Sequence, residues 1–279
     1  MSVATTRPPV VPVRPQPGRL RKAVSDGLVL TKRNLVHNVR EPIEPLLALM
    51  VPIMLVLLFG YAFGEAMSVP GNGNYREFLI AGIFVMVLSY GTASTAQGVA
   101  RDTDKAVFGR FRSMPMAPSA LLVGRALSDM LRAIPEMLLV GVVGLLIGWR
   151  WHSDLGDVLT AFGLLLLLRL TLIWVGMLLG MAVPAEAVTA IVYPLMMPLT
   201  FISSTFVAPS MMPSWLGAIA EWNPLSSVVN AIRDLFGNPG VGGDSWIAQN
   251  YMLMAVVWPL ILLVLSVPLA VRRLKRITI

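Results

Sequence analysis

Runs of about twenty apolar residues recur along the chain, at 45–64, 78–98, 133–149, 158–182, 187–207 and 249–270. Wound as a helix, a run of that length spans the hydrocarbon core of a bilayer. Hydrocarbon offers no water to satisfy backbone N–H and C=O groups, so each run must close its own hydrogen bonds. The recurrence therefore predicts an all-α integral membrane protein with six transmembrane helices. Charge content agrees: only 13% of residues are charged and 56% are hydrophobic, with a mean hydropathy of +0.73. A soluble domain of 279 residues needs far more charge to cover its surface. The third run is short, its start blurred by Arg132 and Glu136. Pro45, Pro52, Pro194, Pro198, Pro259 and Pro268 lie within the runs and are expected to bend them.

Residues 1–24 alternate Pro8, Pro9, Pro12, Pro15 and Pro17 with Arg and Val, a composition that builds no core and reads as a disordered tail. No apolar h-region follows within the first 30 residues, so a cleavable signal peptide is not expected; a transit peptide is the alternative. Ser25 to Arg40 sets Leu28, Val29, Leu35, Val36 and Val39 against Lys32, Arg33, His37 and Arg40. That pattern suits an amphipathic helix in the headgroup plane ahead of the first span; the alternative is an ordinary solvated helix.

Basic residues orient the spans. With a cytoplasmic N-terminus, eighteen Lys and Arg fall on the inner side: eight before the first span, six from Arg101 to Arg132 and four at the C-terminus. Only Arg76, Arg150 and Arg233 fall outside, and Arg169 lies within a span. The positive-inside tendency thus puts both termini in the cytoplasm, a parity that six spans satisfy. The net charge of +7 is accordingly read as a topology signal and not as a nucleic-acid footprint. Between the fifth and sixth spans, 208–248 holds two amphipathic pieces and Trp215, Trp222 and Trp246, which suit the membrane boundary. These pieces are expected to be short re-entrant outer helices.

Several chemistries are absent from the sequence. There is no cysteine, and His37 and His152 form no HExxH pair. None of the four lysines follows a glycine, so no P-loop is present and the chain has no site of that kind for ATP. Asp102 and Asp104, in Arg-Asp-Thr-Asp-Lys, admit a metal-phosphate reading in a lipid-modifying membrane enzyme. The alternatives there are helix capping and partner contact. Arg169, in Leu-Leu-Leu-Leu-Leu-Arg-Leu, costs about 2.5–3.5 kcal/mol at a helix centre and must find a polar setting. It is read either as contacting a polar or anionic part of a cargo, or as bonded to proline-freed carbonyls or to Glu136 or Glu186. Met196–Met197, among seventeen methionines, offer either a pliant cargo surface or core filling.

Two segments carry a family resemblance. One is Asp104-Lys-Ala-Val-Phe-Gly-Arg-Phe-Arg-Ser-Met-Pro-Met-Ala-Pro-Ser-Ala120, followed by Gly124-Arg125. The other runs through Thr205-Phe206-Val207-Ala208-Pro209, Met212-Pro213-Ser214-Trp215-Leu216, Glu221-Trp222-Asn223-Pro224-Leu225-Ser226 and Ala231-Ile232-Arg233. Together they resemble the ABC-2 type permeases, most of all the daunorubicin and multidrug-resistance branch of actinobacteria. Arg40-Glu41-Pro42 resembles that family's Arg-Asp-Pro element, with Glu in place of Asp. The resemblance covers about 25–276.

It implies a six-helix domain that pairs as a dimer in a bacterial cell membrane and binds two separate ABC ATPase subunits, which hold the ATP. The chain itself then carries no cofactor and no catalytic residue, and exports hydrophobic drug-like or lipid cargo. By the same resemblance 25–40 and 101–120 engage the ATPase, through Lys32, Arg33, Arg40, Asp104, Lys105, Arg110, Phe111 and Arg112. Arg169, Met196, Met197, Asn223 and Pro224 become pathway candidates, with Asn223–Pro224 closing the outer end. Export of polysaccharide or a cell-envelope glycolipid is the alternative cargo reading.

Overall fold

The computed structural model describes residues 43–104, 118–240 and 243–278, apart from positions 63, 65, 66, 68, 71 and 72. The tail, the amphipathic segment 25–40 and the motif 105–117 lie outside these residues. All regular elements among the described residues are helices: α1 (Ile43–Leu57, continued by a π-turn, Leu58–Ala62), α2 (Tyr75–Asp104), α3 (Pro118–Ile147), α4 (Leu155–Gly180) and α5 (Ala185–Phe201). Then come α6 (Ser214–Trp222), α7 (Pro224–Leu235), the single turn α8 (Trp246–Gln249) and α9 (Tyr251–Thr278).

Four of these are long and apolar enough to cross a membrane, over Tyr75–Thr103, Leu122–Ile147, Leu155–Gly180 and Tyr251–Ile277. They match the second, third, fourth and sixth expected spans. The first and fifth correspond to shorter apolar helices, Met50–Ala62 and Ala185–Phe201. The short third span is corrected: α3 begins at Pro118, where a proline at N1 loses no hydrogen bond. Arg125 and Arg132, read above as loop charges, therefore sit on a helix, and only 105–117 separates α2 from α3.

α2 is the hub. Its most apolar stretch is 83% buried, against 22% for α9, because α1, α3, α4, α5 and α7 all pack on it. Small residues permit the closest approach, between α2 and α4. A Cβ at Gly176 would stand 2.8 Å from the Thr92 carbonyl oxygen, and one at Gly180 would collide with the Ala96 carbonyl. Gly176 and Gly180 form a GxxxG pair, the spacing that lets membrane helices bring their backbones together.

One end of the bundle gathers Val99, Leu122, Met181, Ala270 and Leu274. The other is built from aromatic rings: Phe84, Trp149, Phe162 and Phe236 meet with centroids 5.2–6.0 Å apart. Onto this second end folds the segment 202–250. Tyr75 donates its hydroxyl to the Phe206 carbonyl (3.0 Å), and Trp149 Nε1 donates to Asn238 Oδ1 (2.8 Å). α7 is buried along 225–233, packed on α9, α4 and α2. It stops at Gly237, whose φ of +66° lets the Asn238 amide reach back to the Arg233 carbonyl.

Arg233, counted above among the charges outside the membrane, is completely buried within the protein. All five of its N–H groups are used. Nε and Nη2 donate to the Phe78 carbonyl, Nη2 also to the Ser204 carbonyl, and Nη1 to Ser204 Oγ and Asn230 Oδ1. The guanidinium also lies 3.5 Å from the centroid of the Phe78 ring. No carboxylate is needed, because carbonyl dipoles and a π face share the charge.

Candidate functional site: an apolar cavity with a charged wall

A cavity of about 640 Å³ opens between α1, α2, α3 and α5. Val51, Pro52 and Leu55 of α1 face Val87, Tyr90, Gly91 and Ser94 of α2 across it. Tyr193, Pro194, Met197 and Phe201 of α5 close another side. The Tyr90 and Tyr193 rings stack with centroids 6.3 Å apart. Such a volume, mostly apolar with a few polar groups, fits a small amphiphile.

The fourth wall is α3, which contributes Arg132 and Glu136. They form an i,i+4 pair, Nε to Oε1 at 3.0 Å, with side chains 17% and 8% exposed. Two helical turns earlier Arg125 pairs with Asp129 (3.3 Å), and Asp129 accepts the Thr95 hydroxyl (2.7 Å). Positions 125, 129, 132 and 136 follow i, i+4, i+7 and i+11, one face of a helix. The sequence shows helical spacing and dense charge through 99–131, but ending that segment at 131 and starting the third span at 133 split the stripe between two elements, whereas one helix, Pro118–Ile147, carries it all. Pro135 removes one backbone donor from α3 beside the pair.

Arg169 stands behind this wall. It is 1% exposed, and its Nη1 donates to the Leu88 carbonyl (3.1 Å) while Nε has no hydrogen-bond partner. A Cβ on Gly91 would overlap the guanidinium, so the missing side chain of a cavity-lining glycine makes room for the arginine. Glu136 and Asp129 are the carboxylates that act on its charge. The acceptor is an α2 carbonyl rather than one freed by the prolines of the spans. The α3–α4 set, Arg125, Asp129, Arg132, Glu136 and Arg169, thus holds three positive and two negative charges in a largely buried position.

The other sequence-predicted residues separate. Met197 lines the cavity, whereas Met196 turns to the core with Ala93, Ala96, Val188 and Val192. Asn223 is 7% exposed and caps α7, accepting from the Leu225 amide (2.9 Å) and donating to the Leu199 carbonyl (2.6 Å). It shares with Pro224 an open apolar groove of about 640 Å³ between α5 and α6, which meets the cavity only at Pro194. Next to Asn223, Glu221 accepts the amides of Asp244 and Ser245 (3.0 and 2.9 Å). Burial opposes its charge, but these bonds and the Ser245 side chain hold its carboxyl below the usual range.

Asp104 is the last residue of α2, and Asp102 lies 3.9 Å from Arg125. Lys32, Arg33, Arg40, Lys105, Arg110, Phe111 and Arg112 lie outside the described residues. No group of three or more His, Cys, Asp or Glu converges as a metal site among the described residues.

Comparison with known proteins places these features in a family. The ABC-2 type transporter family model matches residues 27–236. The daunorubicin resistance ABC transporter permease protein DrrB1 of Streptomyces coeruleorubidus is 31% identical over 214 residues, covering 76% of this chain and 75% of that protein. A putative transport permease, ycf38 of Cyanophora paradoxa, is 26% identical across 81% of this chain and 78% of its own. The probable doxorubicin resistance permease protein DrrC of Mycobacterium tuberculosis is 22% identical across 90% and 89%. With three quarters of its length matched by one family model and by a relative above 30% identity, this chain belongs to the ABC-2 type transporter family.

Proposed function

We propose that the chain is the permease subunit of an exporter driven by ATP, with hydrolysis on a separate ATPase subunit. The observation that carries this reading is the apolar cavity between α1, α2, α3 and α5, with one ion pair in its wall. It fits hydrophobic drug-like or lipid cargo, in keeping with relatives named for daunorubicin and doxorubicin resistance. On this reading α1 and α5 are the two shorter crossings that complete six spans, and α6 and α7 re-enter from the outer face. Both termini are cytoplasmic at a bacterial cell membrane, and two protomers carry two ATPase subunits.

Lys32, Arg33, Arg40, Asp104, Lys105, Arg110, Phe111 and Arg112 form the coupling surface in this scheme. A short charged segment between two spans can pass a nucleotide-driven rotation to α2 and α3. Met197 lines the cargo cavity, Arg169 acts on it from behind the charged wall, and Asn223–Pro224 closes the outer exit. The excess positive charge behind the wall favours a second cargo reading, a cell-envelope glycolipid or polysaccharide bearing acidic or hydroxyl groups.

The test is reconstitution of the chain with a separate ABC ATPase subunit. ATP-dependent accumulation of a fluorescent anthracycline in inside-out vesicles is expected, and Arg110→Glu with Arg112→Glu weakens co-purification of the two subunits. Metal-dependent lipid turnover by the purified chain alone would assign it to another class, a lipid-modifying enzyme. Unchanged association in the double Glu variant would remove 101–120 from the coupling surface.

A further inference from the structure

The end of the bundle opposite the aromatic cluster carries a second, chemically different cleft. The last turns of α9 and the end of α4 enclose about 460 Å³ between Arg272, Arg273, Arg276, Leu178, Leu269 and Ile277. Positions 269, 272, 273 and 276 share one face of α9 at i, i+3, i+4 and i+7. Three guanidinium groups are thus gathered within about one helical turn. Arg273 Nε donates to the Met181 carbonyl (2.8 Å), which fixes the floor of the cleft between α4 and α9. Among the described residues no Asp or Glu lines it. The helix C-terminus favours cations near it, but like charges at i,i+4 repel, and Arg272 and Arg276 stand at that spacing. Leu178 and Leu269 add an apolar wall on the side of the bundle interior, and Ile277 an apolar residue beyond the charges.

We propose that this cleft is a binding site for one anionic phospholipid. Its phosphate would lie among Arg272, Arg273 and Arg276, with an acyl chain along Leu178 and Leu269. Both halves of the cleft are used: arginines match phosphate oxygens with a planar fork, and the apolar wall is wasted on an ion that lacks a chain. The level is right for a headgroup, since the Tyr251–Ile277 span runs out at these arginines and basic clefts between membrane helices are fitted to such lipids. The proposal is independent of the exporter reading and of any cargo.

The experiment uses the full chain, purified in detergent and delipidated, titrated with phosphatidylglycerol, phosphatidylcholine or inorganic phosphate and read by native mass spectrometry. One saturable phosphatidylglycerol is expected, with phosphatidylcholine at least tenfold weaker. Each arginine removed, as in Arg272→Gln and Arg276→Gln, weakens retention about fivefold. Arg272→Lys with Arg276→Lys keeps the charge but loses the fork, so its retention should fall between those of the parent and the double Gln variant, which controls for folding. Leu178→Trp, which fills the apolar half, also lowers retention. Equal binding of the two lipids, unsaturable uptake of many copies, or unchanged retention in the Gln variants would overturn the proposal. Displacement by equimolar inorganic phosphate would reassign the cleft to a free anion.

Discussion

At the level of single residues, charges taken out of water in this protein are handled in two opposite ways. Arg233 is neutralised by geometry alone, with all five donors on carbonyl, hydroxyl and amide oxygens that the fold has already fixed. Lysine offers one compact ammonium and cannot span that set. Arg233→Lys is therefore expected to cost about 2–4 kcal/mol, measurable as a lowered unfolding midpoint in detergent. Arg132 and Glu136 depend on each other instead. Glu136→Gln leaves the Arg132 charge half-compensated in a mostly buried site and should cost about 2–4 kcal/mol. Replacing both, as Arg132→Met with Glu136→Leu, removes two desolvated charges and should restore stability to within about 1 kcal/mol of the parent. If the pair meets cargo, the same double variant loses transport while remaining folded. Parental transport in it would make the pair purely structural.

Among elements, the contact between α2 and α4 organises the rest, and it depends on two missing side chains. Gly180→Val would drive a branched side chain into the Ala96 carbonyl, and separating two packed helices costs about 1–3 kcal/mol or more. Gly163, on the same helix, has nothing within 4 Å of where a Cβ would stand. Gly163→Ala should be neutral or gain up to about 1 kcal/mol from helix propensity. Unfolding of the two variants in one detergent separates a packing glycine from an incidental one; equal behaviour would refute the close crossing. The GxxxG spacing is visible in the sequence, yet it means nothing until a partner helix is known. The same holds for α3, where a charged segment of helical spacing and a short span proved to be one continuous helix.

For the whole molecule, the two ends differ in kind. One carries the arginines of α9 and the start of α3, the other an aromatic cluster covered by the segment 202–250. Net positive charge favours the cytoplasmic side, so the exporter reading sets α9's arginines inside and α6 outside. The chain has no cysteine, which allows a direct check. Trp215→Cys, exposed on α6, and Ile277→Cys, exposed on α9, should react with a membrane-impermeant maleimide from opposite faces. Labelling of Trp215→Cys in intact cells and of Ile277→Cys only in inverted vesicles is expected. Reaction of both from one face would refute the placement on opposite sides, and the swapped pattern would reverse the orientation.

The sequence by itself determined that the chain is helical and built for a bilayer, because hydrocarbon forces each long apolar run to satisfy its own backbone. It also carried the family resemblance, in segments around 104–120 and 205–233 that owe nothing to hydrophobicity. Tertiary structure alone decided which polar residues leave the solvent and what they meet there. Arg233 is as basic in sequence as Arg150, but one is wholly buried and the other exposed, since only folding brings Phe78, Ser204 and Asn230 around it. The cavity and its ion pair belong to the same category. They are made by four helices from distant parts of the chain, and no local pattern records which faces those helices turn toward one another.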